Sequence, residues 1–141
     1  VNFKVLSRIK DWRRKLANEY ESPIDIDGHQ WMSVEHYYQG SKYKLSREDI
    51  YYQFSLDSNS ELSKSVVKAK KFKDFEPDID FFGKRGKNVL YDGLRAKFTQ
   101  HSELKEILLA TKNATLQEYI PKSPAKKSLE LMRLRKYLSV N

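Results

Sequence analysis

Cysteine is absent from the chain, which excludes a disulfide framework, a thiol nucleophile and cysteine-ligated metal or iron–sulfur centres. Glycine and proline are scarce, with five and four residues. The glycines never fall into a G-x-G-x-x-G, Walker or G-x-S-x-G pattern, so no Gly-rich phosphate loop and no nucleophile elbow is expected. Only three histidines occur, His29, His36 and His101, and none has a metal-ligand spacing to a carboxylate, so neither a metal site nor a cofactor is expected. Apolar runs are far shorter than a bilayer crossing, and no charged-then-apolar leader opens the sequence, so no membrane partner and an intracellular, cytoplasmic setting are expected. Repeats, low-complexity tracts and Gly/Ser linkers are also missing. A chain of 141 residues then reads as one domain, residues 1–141, able to enclose one core and one cleft. A first residue of Val1 rather than Met also fits a piece cut from something longer.

What the chain does have is aromatic and basic. The hydrophobic fraction is 39%, but nine Tyr, seven Phe and two Trp restore the capacity to bury area, each with a large ring and some with a polar tip. The net charge is +8, and its Lys and Arg are dispersed: Arg13–Lys15, Lys68–Lys73, Lys84–Lys87, Lys126–Lys127. Dispersion argues for a charged folded surface and against a flexible DNA-binding arm. Such a surface concentrates phosphates, whether on nucleic acid or on a small molecule, and it equally serves solubility.

Local signals predict an α+β fold in which helix dominates, with two or three short strands. Ile24 and Ile26 alternate with Asp25 and Asp27 before Gly28, the pattern of a small hairpin turning at Asp-Gly. Ser33 reads as the N-cap of a helix over about 34–44. Ser46 opens another, and Ser58 with Glu61 forms a capping box ahead of Leu62, Val66 and Ala69. Leu90, Leu94 and Phe98 make one apolar stripe. Ser102 caps a helix bearing Leu104, Ile107 and Leu108. A second strand is expected over Thr115–Ile120, then a helix starting at Ser123-Pro124 with Leu129, Met132 and Tyr137 on one side.

The segment Trp31-Met-Ser-Val-Glu35-His36-Tyr-Tyr38-Gln39-Gly-Ser-Lys42 is the most informative. On a helix Glu35, Tyr38, Gln39 and Lys42 stand at i, i+3, i+4 and i+7, one face. A carboxylate and an amine on one face among aromatics suit sugar cleavage. Burial raises the acid's pKa so that it holds a proton near neutrality, and a desolvated amine can attack an aldehyde-level carbon or bind phosphate. The same spacing also fits a solvated stripe with a Glu–Lys attraction. Phe81 and Phe82 beside Lys84 and Arg85 read either as a stacking and phosphate platform or as an anchor for a loop.

These residues carry a resemblance. Trp31-x-Ser33-x-Glu35-His36-x-Tyr38-Gln39-x-x-Lys42 resembles the signature helix of the NADAR family of YbiA-like N-glycosidases. Leu16-Ala17-Asn18-Glu19-Tyr20, with Pro23 and Gly28, resembles its Leu-Ser-Asn-Phe-Tyr segment, with Glu19 in the aromatic place. Leu94-x-Ala96-Lys97-Phe98-x-Gln100 resembles its Lys-Phe helix pair, and Leu131-Met132-x-x-Arg135 its closing helix, with Arg133 as the other match. The blocks span about residues 16–138. The family's Asp and Trp-Gly pair before the last helix have no counterpart in Glu118-Tyr-Ile-Pro-Lys-Ser-Pro124.

The resemblance implies hydrolysis of the N-glycosidic bond of a phosphorylated N-riboside, either a ribosylaminopyrimidine phosphate of the riboflavin pathway or ADP-ribosylated guanine in DNA. It implies Glu35 as acid/base and Lys42 as covalent group or phosphate contact. Asn18, Trp31, His36, Tyr38, Gln39 and Lys97 are then expected to contact substrate. The alternative is a catalytically silent module of the same fold that binds ADP-ribose or nucleic acid.

Overall fold

The computed structural model describes residues 1–140. Nine α-helices and two small antiparallel hairpins are present among them, so the fold is α+β with helix dominant. The helices are α1 (Phe3–Leu6), α2 (Trp12–Lys15), α3 (Val34–Ser41), α4 (Glu48–Gln53), α5 (Glu61–Lys64), α6 (Val66–Lys71), α7 (Gly86–Gln100), α8 (Ser102–Ala110) and α9 (Leu129–Val140). The strands are β1 (Ile24–Ile26) with β2 (His29–Trp31), and β3 (Gln117–Glu118) with β4 (Lys126–Lys127).

In the first hairpin Ile24 faces Trp31 and Ile26 faces His29. Asp27 and Gly28 both take positive φ, 56° and 75°, as the tight turn demands and as Asp-Gly permits. The side-chain amide of Gln100 accepts from the Asp25 N–H and donates to the Asp25 carbonyl, both at 2.8 Å, and so pins the hairpin to the end of α7.

Helix α3 starts at a true cap. The Ser33 hydroxyl oxygen accepts from the His36 N–H at 3.2 Å, satisfying one of the orphan donors of the first turn. Its inner face, Val34, Tyr37 and Ser41, is buried against α6 and α7. Gly40 lies within the helix. A Cβ there would lie 2.8 Å from the Phe54 Cβ and 3.3 Å from the Trp31 ring, so only glycine lets the helix settle on these aromatics. Beneath it Trp31, Tyr37, Tyr51 and Phe54 form the aromatic part of one core that continues through Leu94, Phe98, Ile107, Leu108 and Leu134.

Several local expectations shift. Ser60, not Ser58, caps α5, accepting from the Ser63 N–H at 3.1 Å; Ser58 closes a 3₁₀ turn that Asn59 ends in the left-handed region. Arg47 rather than Ser46 precedes α4, because Ser46 is drawn to the Asp78 carboxylate. Ser102 is the first residue of α8, behind His101, and α3 ends at Ser41 instead of Lys44. The larger error lies at the far end. No helix starts at Ser123-Pro124: that segment forms the second hairpin, and α9 begins at Leu129. The buried face of α9 is consequently Leu131, Leu134, Arg135 and Leu138, while Leu129 and Tyr137 are exposed. The short helices α1 and α2 carry no strong periodic signal and were not expected.

Candidate functional site

Helix α3 brings the carboxylate and the amine together, and a neighbouring loop changes what the carboxylate can do. The Glu35 N–H donates to the Asn18 carbonyl at 3.0 Å, which seats the 17–20 loop on the start of the helix. That contact places Glu19 beside Glu35. Glu19 in turn pairs with Lys70 of α6 at 3.1 Å.

Burial pushes the Glu35 carboxyl above the usual carboxylate range, and the negative charge of Glu19 pushes it further. Lys70 and the Gln39 amide, one turn on, pull the other way without prevailing. A helix N-terminus also favours the charged form, yet desolvation wins here. Glu35 is therefore a carboxylic acid that keeps its proton closer to neutrality than an exposed one does.

Lys42 is partly buried between two rings, its Nζ 5.8 Å from the centre of Tyr38 and 5.5 Å from that of Phe82. Loss of solvent lowers its pKa; Glu35 opposes the shift and Lys73 adds to it. Tyr38 rests edge-on against Phe81 at 5.1 Å, and burial, then Glu35, raises its hydroxyl's pKa. Acid, amine and phenol thus sense one another across one face. The set can protonate a leaving nitrogen, and its less-charged amine can act as nucleophile.

The other expected site residues are placed differently. Trp31 has no exposed surface; its indole N–H donates to the Ile26 carbonyl at 3.1 Å, and its ring packs on Tyr37 and Tyr51. It is a core residue and not a pocket wall. His36 is equally enclosed. Its Nε2 lies 3.0 Å from the Leu62 carbonyl, so Nε2 carries the hydrogen, and its Nδ1 lies 2.8 Å from the Ser33 hydroxyl. Burial lowers its pKa, and the ring is a neutral brace between α3 and α5 without access to a ligand. Lys97, expected as a phosphate contact, is fully buried and donates from Nζ to the Ala17 carbonyl at 2.7 Å, over the Tyr20 and Phe98 rings. Desolvation brings its pKa down to about 7. It holds the 17–20 loop from beneath, out of a substrate's reach. Asn18 is half-buried in that loop, with its backbone, at the least, committed to Glu35.

Glu19 and Lys70 stand beside Glu35 and were not expected there, and Phe82, one of the two residues weighed as a stacking platform, stands beside Lys42. Glu19 lies sixteen positions before Glu35 and outside the helix, so no helical period points to it; only the loop contact does. The Phe81–Phe82 pair divides its roles. Phe81 is the buried anchor and Phe82 is 69% exposed. Next to Glu19 a groove of about 590 Å3 runs between the loop and the start of α6, walled by Arg14, Tyr20, Lys64 and Ser65. A second hollow, between α1 and α8, holds none of these residues.

The sequence profile of the NADAR domain matches residues 3–124, which include the whole of this site. The chain belongs to the NADAR family. It is similar to the N-glycosidase YbiA of Escherichia coli (strain K12), 35% identical over 100 residues that make up 69% of this chain and 57% of that protein. The N-glycosidase YbiA of Shigella flexneri serotype 5b is 34% identical over 106 residues, 73% of this chain and 61% of the relative. The chain thus spans about three fifths of the length of these relatives. The NMR structure of E. coli YbiA superposes with a TM-score of 0.67 at 27% identity, covering 89% of this chain and 78% of that one.

Within this NADAR domain residues 117–127 carry the second hairpin. Tyr119, which directly follows β3, is 83% exposed. Glu118, on β3, is close enough for its charge to raise the pKa of Glu35. Among the described residues no group of three His, Asp or Glu side chains is placed to hold a metal ion, and no helix is long and apolar enough to cross a membrane.

Proposed function

We propose that this NADAR domain is an N-glycosidase that hydrolyses the bond between C1′ of a phosphorylated ribose and a nitrogen of its base. The observation that carries this reading is the pairing, on one face of α3, of a carboxylic acid whose pKa is raised with an amine whose pKa is lowered. Glu35 gives its proton to the departing nitrogen as the C1′–N bond breaks, and water supplies the hydroxyl that ends on C1′. In the covalent variant the Lys42 Nζ takes the place of water, the sugar ring opens to an imine, and hydrolysis then frees the lysine. Arg14 and Lys64 in the adjoining groove supply positive charge for the phosphate. The names of the relatives support the bond class. A ribosylaminopyrimidine phosphate and ADP-ribosylated guanine in DNA are the two substrates to try.

Incubation with each substrate, followed by chromatography of the released base, tests the proposal. Turnover by the wild-type chain and its loss in Glu35→Gln by about 10²–10⁴-fold are expected, the usual cost of removing a positioned proton-transfer group. Borohydride capture of a sugar on Lys42 would select the covalent variant. The exposed hairpin, with no tryptophan, favours one second reading, a domain that binds such ligands without cutting them. Tight binding without base release would establish it.

A further inference from the structure

The guanidinium of Arg85 reaches both sides of the contact between Lys42 and Phe82. On the Lys42 side, its Nη1 donates to the Ser41 carbonyl at 3.2 Å, at the end of α3, where helix carbonyls run out of partners within the helix. Its Nη2 donates to the Asp78 carboxylate at 2.8 Å. Asp78 is buried, and its backbone N–H donates to the carbonyl of Lys42 itself at 2.6 Å. The same carboxylate accepts from the N–H groups of Leu45 and Ser46 at 2.9 and 3.0 Å. On the Phe82 side, the Nε of Arg85 donates to both Asp80 oxygens at 3.2 Å, and the guanidinium lies over the Phe81 ring at 5.1 Å. Phe82 therefore sits in a loop that one side chain closes, across a break in helical geometry at Gly83 (φ −106°, ψ −136°). Its own ring is mostly exposed, so its place beside the Lys42 Nζ comes from the loop and not from packing of the ring.

We propose that Arg85 is a positioning residue for Lys42, tying the last turn of α3 to the Phe82 loop and so holding the amine between the Tyr38 and Phe82 rings. A planar fork of N–H donors can serve a carbonyl and two carboxylates at once, which a compact ammonium cannot do in the same geometry. The charge of Arg85 is already answered by Asp78 and Asp80, so its effect on Lys42 runs through placement. This rests on the part given to Lys42 in the N-glycosidase reading, and adds the residue that sets where its amine stands.

Arg85→Lys tests it, because that variant keeps the charge and loses the fork; Asp78→Asn keeps the shape of the clasp and gives up its ion pair. Lysines labelled by reductive ¹³C-methylation are followed by NMR against pH in wild type and both variants. A Lys42→Arg control in each background identifies the Lys42 resonance. In wild type that resonance should titrate below those of exposed lysines. In both variants it should move up toward them as water enters between the rings. Glu35 and Lys73, the charged groups that act on the amine, are the same residues in all three proteins. In kinetics, kcat should fall by roughly 10- to 100-fold with KM little changed, the cost of a misplacement of about 1 Å. Titration of Lys42 as in wild type, in either variant with its fold intact, overturns the proposal whatever turnover does. A moved titration with unchanged kcat keeps Arg85 as the anchor of Lys42 and removes Lys42 from the chemistry. The titration needs no substrate, so absence of base release by wild type would fell the glycosidase reading and leave the placement of Lys42 decided by NMR.

Discussion

The two faces of helix α3 solve opposite problems with residues from the same short motif. On the inner side, as elsewhere among the described residues, no fully buried side-chain nitrogen or oxygen lacks a hydrogen-bond partner. The Ser33 hydroxyl and the Leu62 carbonyl hold both nitrogens of His36, the Ser41 hydroxyl donates to the Tyr37 carbonyl, and the Trp31 indole is bonded to Ile26. On the outer side Glu35 and Lys42 are pulled partly out of water, and both pKa values move toward the neutral forms. A satisfied buried polar group contributes order; an incompletely compensated one is costly to stability and available for chemistry. Substitution at adjacent positions should therefore separate into losses of stability and losses of turnover.

The largest separation is expected between Glu35→Gln and Trp31→Ala. The first should reduce base release by about 10²–10⁴-fold with the urea midpoint at pH 7 equal to wild type or higher. The second should cost about 3–5 kcal/mol in urea denaturation, as emptying a large aromatic site does. Equal damage to stability by the two would break the comparison, since it would make Glu35 part of the packed face.

Lys97 sharpens it from below. Its folded-state pKa of about 7 lies under that of an unfolded lysine, so between these values the unfolded chain binds more protons. Stability should then rise as pH increases from 7 toward 10, with a slope of up to ~1.4 kcal/mol per pH unit for one proton. Thermal melts across that window should show the rise, and Lys97→Met should flatten it.

Glu35 has the opposite sign. Its folded pKa is raised above the ordinary 4.5, so the folded chain holds the extra proton and stability falls as pH climbs from that value through the raised one. Glu35→Gln should remove this fall. Paired urea titrations at pH 4 and pH 7 would show the fall in wild type and its absence in Glu35→Gln.

Local patterns in the chain were readable wherever one period or one cap decided the outcome. The Asp27-Gly28 hairpin, the Ser33 cap, the Leu94–Phe98 face of α7 and the buried face of α8 all formed as expected. The Ser123-Pro124 helix did not, because its start signal competed with a pairing of Glu118 to Lys126 that no local rule can see. Helical spacing also placed Glu35, Tyr38, Gln39 and Lys42 on one side. It said nothing about depth, which is why Trp31, His36 and Lys97 could be taken for ligand contacts when each is sealed in the core.

By itself, then, the sequence determined the family, the helix-dominant class and the face on which the acid and the amine sit, because these depend on residue types at fixed spacing. Only the tertiary structure decided their chemistry. The Asn18 carbonyl docks on the Glu35 N–H and brings Glu19 close enough to act on the carboxylate, while Phe82, forty positions later in the chain, lies beside Lys42. Desolvation and through-space charge depend on which surfaces meet, and residues far apart in the chain supply those surfaces here.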